Sequence, residues 1–135
     1  QTAAAKKSNE SKEVNQEPRE LSPAVQIYFD NNKFEIKKEE AKKLDQLIDR
    51  LKSIKEYKLI LTGHTDSTGN DDLNMKLSED RVNEVFDYLV DKDVDQNIME
   101  AKYFGRAKPR EKNETDAQLK AKNRRVEITI VEKHE

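Results

Sequence analysis

Val25, Ile27 and Phe29 alternate with Gln26 and Tyr28, the two-residue period of a strand with one buried face. Asp30-Asn31-Asn32 then supplies turn residues. Beyond the turn the period lengthens. Ala41, Leu44, Leu47, Ile48, Leu51 and Ile54 recur at three- and four-residue steps, which predicts a helix over residues 37–54 with one apolar stripe. Lys and Glu cover its other face, as on a solvated surface. Residues 57–63 read as a second strand, whose run Leu59-Ile60-Leu61 suits a central position. Residues 64–70 form a polar loop. Leu73 and Leu77 open another helical pattern, continued by Val82, Val85, Phe86 and Leu89. Its start has two readings. Ser78 followed by Glu79 and Asp80 has the form of a hydroxyl cap with acids in the first turn, placing Arg81 at the start of a helix that runs to about residue 91. An uninterrupted helix from Asn70 is the alternative, and it moves Arg81 farther from the loop.

Residues 98–104 give a weaker third strand that stops at Gly105. A loop with Pro109 follows over residues 106–115, then a short helix over residues 116–122. Val126, Ile128 and Ile130 alternate with Glu127 and Thr129, which makes residues 125–131 the last strand. The order β-α-β-α-β-(α)-β predicts an α+β fold: a two-layer sandwich, with helices on one face of a mixed sheet. No internal repeat is present.

Composition sharpens this picture. Hydrophobic residues are 33% of the 135 and charged residues 40%, so the apolar side chains must gather on a few faces for the chain to fold. Residues 1–22 offer only Val14 and Leu21 as sizeable apolar groups; they are read as a flexible tether, with the domain spanning residues 23–135. The net charge of −2 gives no reason to expect nucleic acid as a partner. The basic cluster Lys120, Lys122, Arg124 and Arg125 has no interleaved aromatics, which points the same way. Absence of cysteine excludes disulfides and cysteine-based metal sites. No apolar stretch approaches the ~20 residues of a membrane helix. The first residues lack a signal-peptide layout, so export implies a signal already removed or lying upstream.

The loop after the second strand is the natural place for a site. Asp66 within it can accept hydrogen bonds from an ammonium group. Arg81 offers a planar fork that matches a carboxylate, and free N–H groups at a helix start would join it. Together they suit a zwitterion, such as an amino-acid head group. A plain Asp66–Arg81 salt bridge is the simpler alternative. His64 could ligate a metal with Asp66, but the only other histidine is His134 and no His-Glu-x-x-His helix occurs, so no metal is expected. Ser67, Thr68 and Ser78 lack a base with its orienting partner, and Gly63 and Gly69 make no phosphate loop. Neither an enzyme nor a cofactor is expected.

Four separated motifs now carry a resemblance. They are Ile27-Tyr28-Phe29-Asp30; Thr62-Gly63-His64-Thr65-Asp66-Ser67-Thr68-Gly69; Leu73-Asn74 with Leu77-Ser78-Glu79-Asp80-Arg81; and Asn123-Arg124-Arg125-Val126-Glu127-Ile128. In this order over residues 25–131, with Gly105 and Pro109 fitting the last loop, the chain resembles the OmpA-like C-terminal domain family of OmpA, Pal and MotB. The resemblance implies non-covalent binding of peptidoglycan through meso-diaminopimelate in its stem peptide. Asp66 would hold the ammonium and Arg81 the carboxylate, with Phe29, Asp30, Thr65, Asn74, Leu77 and Arg124 lining the same groove. It also implies a periplasmic domain, monomeric or weakly dimeric, tethered to the outer membrane through an upstream anchor or domain. Departures are Leu73 where the family often has Tyr, Val82 where it has a small residue, and Leu119-Lys120-Ala121-Lys122 in place of its usual Gly-Arg. A scaffold domain that binds another envelope protein, without affinity for the cell wall, is the alternative function.

Overall fold

The computed structural model describes residues 20–133. Its elements are β1 (Val25–Tyr28), α1 (Lys38–Leu51), β2 (Tyr57–His64), α2 (Asp71–Asp91), β3 (Met99–Tyr103), α3 (Ala117–Ala121) and β4 (Arg125–Glu132), with a short 3-10 helix at Gln96–Ile98 before β3. The sheet order is β1-β4-β2-β3. β4 runs antiparallel to both β1 and β2, whereas β2 and β3 are parallel, so the sheet is mixed as expected.

The alternation seen in the sequence decides which face is covered. Leu59 and Leu61 of β2, Val126, Ile128 and Ile130 of β4, and Ile27 of β1 form the sheet side of the core. Leu44, Leu47 and Leu51 of α1 and Val82, Val85 and Leu89 of α2 form its helix side. Each fully buried Leu or Ile contributes about 2 kcal/mol by removal from water. α3 has no buried residue and lies within the β3–β4 connection. None of the described helices is long and apolar enough to cross a membrane.

Of the two readings of this helix, the uninterrupted one from Asn70 is found, and the start at Ser78 is corrected. α2 runs unbroken from Asp71, because Asn70 caps it by accepting from the Leu73 N–H at 2.8 Å, and Asp71 and Asp72 occupy its first turn. Ser78 is instead fully buried: its hydroxyl donates to the Met75 carbonyl at 2.8 Å and accepts from the Gly105 N–H at 3.1 Å. Arg81 therefore sits in the helix interior, and the N-terminal dipole does not act on it. α1 ends at Leu51, earlier than the apolar pattern suggests, although Ile54 still packs on the core.

Residues 1–19 of the expected tether lie outside the described residues. Glu20 pairs with Val131, and the Leu21 N–H donates to the Ile130 carbonyl at 2.9 Å. Residues 20 and 21 thus pair with β4 ahead of β1. On the outer edge of β1, Glu40 on the supposed solvated face of α1 is buried and accepts from the Tyr28 N–H at 2.8 Å. Lys43 donates to the Gln26 carbonyl at 2.9 Å. Both side chains satisfy the free edge of β1 and close it to another strand.

Candidate functional site

Four segments meet at the C-terminal end of β2: the β1–α1 turn, the loop of residues 65–70, the first three turns of α2, and the α3–β4 junction at Arg124. Between them lies a cavity of about 300 Å³, lined by Thr65, Asp66, Asn74, Leu77, Arg81 and Arg124 of the expected residues. Asn31, Asn32, Thr68, Gly69 and Leu73 complete the wall. Phe29 and Asp30 do not line it. Both stand behind Arg81: the Phe29 ring centre is 5.3 Å from the guanidinium carbon, and the Asp30 carbonyl accepts from it. The Asp30 carboxylate turns outward to Lys37 at 3.1 Å.

Asp66 is held from both sides. One carboxylate oxygen accepts the Thr68 N–H at 2.9 Å, closing a turn within the loop. The other pairs with Arg124 at 3.2 Å, while Arg124 Nε donates to the Phe29 carbonyl at 3.1 Å. Thr65 locks the backbone beside it, donating its N–H to the Gly105 carbonyl at 2.8 Å. The simple Asp66–Arg81 salt bridge does not form; Arg124 takes that place.

Arg81 is wholly buried and forms no ion pair among the described residues. Its guanidinium donates to three carbonyls: Lys33 at 2.8 Å, His64 at 3.0 Å and Asp30 at 3.1 Å. It thereby pins the β1–α1 turn and the end of β2 to α2. Two of its five N–H bonds remain uncommitted. Burial and the neighbouring Arg124 push its pKa down to about 10, with Asp66 partly opposing. Asn74, 5% exposed, has an amide nitrogen with no partner among the described residues. Such a buried donor on a cavity wall marks a place where a ligand acceptor fits.

The β3–β4 connection supports the loop from outside. Glu114 accepts from the Ser67 N–H at 3.1 Å and its hydroxyl at 2.5 Å, and it also pairs with the Asn123 amide. Asn123, fully buried, exchanges further bonds with the Glu111 backbone. Consecutive residues therefore split three tasks: Asn123 fixes the connection, Arg124 reaches Asp66, and Arg125 pairs with Glu127 at 2.7 Å on the opposite sheet face. Sequence reading missed Glu114, because its partner Ser67 is 47 residues away.

His64 turns away from the cavity. Its ring stacks on Phe104 with centroids 5.5 Å apart, and Nε2 lies 3.1 Å from the Thr62 hydroxyl. It is not placed to ligate a metal with Asp66. Burial, with Arg125 nearby, lowers its pKa from 6.5 to about 4. The folded state therefore resists a proton that the unfolded chain accepts. Stability from the neutral ring is complete above pH 6.5 and is lost as pH falls from 6.5 to 4, by at most about 3 kcal/mol. Urea melts at pH 7 and 4.5 should show a smaller acid loss in His64→Gln than in the wild type.

The sequence profile of the OmpA family matches residues 28–124. Outer membrane protein A of Bordetella avium is 41% identical over 104 residues, covering 77% of this chain and 53% of that protein. Peptidoglycan-binding protein ArfA of Mycobacterium bovis is 36% identical over 87 residues, covering 64% of this chain and 26% of that protein. The crystal structure of the peptidoglycan-associated lipoprotein from Burkholderia pseudomallei superposes with a TM-score of 0.73 at 28% identity, covering 78% of this chain and 88% of that one. The chain belongs to the OmpA family. It spans about half the length of the first curated relatives it matches.

Proposed function

We propose that this domain binds peptidoglycan non-covalently, through the free end of diaminopimelate in the stem peptide, and so anchors an envelope protein to the cell wall. The observation that carries this is the cavity itself, in which one carboxylate and two guanidinium groups face a common space of small-ligand size. Asp66 has lone pairs left beyond Thr68 and Arg124 and can accept from the ligand ammonium. The uncommitted N–H bonds of Arg81 and the Asn74 amide nitrogen suit its carboxylate. Arg124 holds Asp66 in position, Thr65 and Gly105 fix the loop, and Leu77 offers an apolar wall to the ligand's methylene groups. Phe29 and Asp30 act by holding Arg81. Binding is positioning and charge recognition, with no bond made or broken.

Family membership and the names of the peptidoglycan-binding and peptidoglycan-associated relatives support this reading. The domain then works in the periplasm, with the outer membrane linked to the wall through whatever precedes it in the full protein. A single site of modest affinity suffices, because many copies facing one polymer act by avidity.

Cosedimentation with purified peptidoglycan sacculi tests the reading. Wild type should pellet with sacculi. Asp66→Asn keeps an oxygen for the Thr68 N–H but loses the charge, and should bind about tenfold more weakly or less. Wild type that stays in the supernatant overturns the proposal and leaves a protein-binding scaffold as the alternative.

A further inference from the structure

We infer that the domain carries tension in shear: a pull between the cavity and the chain preceding β1 runs along β1 and β4 and loads their pairing all at once. It rests on the wall-binding reading only for the point at which the load enters.

The load enters and leaves at opposite ends of the sheet. The cavity sits at the C-terminal ends of β1 and β2 and at Arg124, immediately before β4. β4 then runs away from it, and Glu20 pairs with Val131 at its far end. Val131 stands about 20 Å beyond Arg124, at about 3.3 Å per residue of strand. Whatever precedes Glu20 is therefore joined to the domain at the end remote from the cavity. With a wall polymer held by Asp66, Arg81 and Arg124, a tether drawn the other way would slide β1 along β4.

β1 is held against that sliding on both edges. Its antiparallel ladder with β4 runs from Val25 opposite Ile128 to Tyr28 opposite Arg125. The Phe29 N–H, donating to the Arg124 carbonyl at 2.9 Å, continues it at one end, and the Leu21 N–H, donating to the Ile130 carbonyl at 2.9 Å, adds to it at the other. Antiparallel ladder bonds lie perpendicular to the strands, so a pull along the strands strains them together. On the outer edge the Tyr28 N–H donates to Glu40 at 2.8 Å, and Lys43 Nζ donates to the Gln26 carbonyl at 2.9 Å. Ile27 and Phe29 are buried in the core between these edges. A pull between Glu20 and Lys133 meets a different geometry. Both lie at the remote end of β4, where tension peels the pairs apart one at a time.

The chain lacks cysteine, so introduced cysteines can carry the handles of an optical trap. Handles on Glu20→Cys and Lys122→Cys pull in shear, whereas handles on Glu20→Cys and Lys133→Cys peel; the residues replaced are exposed. The shear pair should unfold at a force at least about twofold higher, because forced unfolding follows the barrier met along the pulling direction. Urea melts of both handle variants control for stability. Glu40→Ala,Lys43→Ala frees the outer edge of β1 and should lower the shear force more than the peeling force. Equal forces in the two geometries, or a shear force unchanged by that variant, overturn the inference. Cosedimentation with sacculi reads wall binding separately, so the failure of one leaves the other measurable.

Discussion

Arg81→Ala is expected to abolish stem-peptide binding and to lower stability by about 2–4 kcal/mol. Both effects come from one side chain with two tasks. Its guanidinium satisfies the carbonyls of Asp30, Lys33 and His64, which belong to two segments flanking the cavity. Alanine leaves all three without that donor, and water entering the vacated space replaces only part of it. Removal of a poorly compensated buried charge gives some stability back, which keeps the loss below that of three orphaned carbonyls. Arg81→Lys separates the two tasks. Lysine preserves the charge but cannot reach three carbonyls in a planar fork, so it should fold with an intermediate melting point and still bind poorly. Denaturant melts and titrations on the same samples check this. A variant as stable as wild type would show that the three carbonyls need no donor.

Gly63→Ala should cost about 3 kcal/mol and weaken binding as well. A Cβ at this position would lie 2.4 Å from the Ser78 carbonyl oxygen and 2.6 Å from a Val82 methyl. The first neighbour is helix backbone and cannot rotate aside. α2 must lift from β2, which widens the cavity and disturbs Ser78, whose hydroxyl receives the Gly105 N–H. Val82 fills the space beside Gly63 and makes this contact tight. Gly63→Ala,Val82→Ala should recover part of the loss in a urea melt, because one of the two clashes is removed. Wild-type stability in Gly63→Ala alone would contradict the close approach of helix and strand.

Local periodicity was enough to find every strand and both long helices, because one buried face imposes a period of two or near 3.6 wherever it occurs. What local pattern could not convey was pairing at a distance. The sheet order β1-β4-β2-β3 places the last strand beside the first and second. Nothing within residues 125–131 specifies those neighbours. Ser78 looked like a cap because Ser-Glu-Asp is a good local start. Its true partner is an N–H 27 residues on, and Asn70 supplied the competing cap. Glu40 looked like solvent-facing charge, yet it closes the edge of β1.

The site was partly legible for similar reasons. Asp66, Thr65, Asn74, Leu77, Arg81 and Arg124 do converge on one cavity. Their roles depend on burial, which sequence spacing does not reveal. Of the two readings of its helix, the start at Ser78 gives Arg81 free N–H groups around it, and the uninterrupted helix does not. Arg81 lies in the helix interior, engaged with neutral carbonyls. Arg124, read as a groove residue, is the counter-ion of Asp66. Phe29 and Asp30 support the arginine from behind and leave the cavity wall to Asn31 and Asn32. An acid-and-arginine pair in sequence is thus a three-residue charge cluster in space.

The most direct measurement is calorimetric titration of a diaminopimelate-containing stem peptide into wild type and into folded Asp66→Asn and Arg81→Lys. Saturable binding by the wild type, lost or at least about tenfold weaker in both variants, is the predicted result. No binding by the wild type, or binding unchanged in both variants, would contradict recognition of the zwitterion by this cavity.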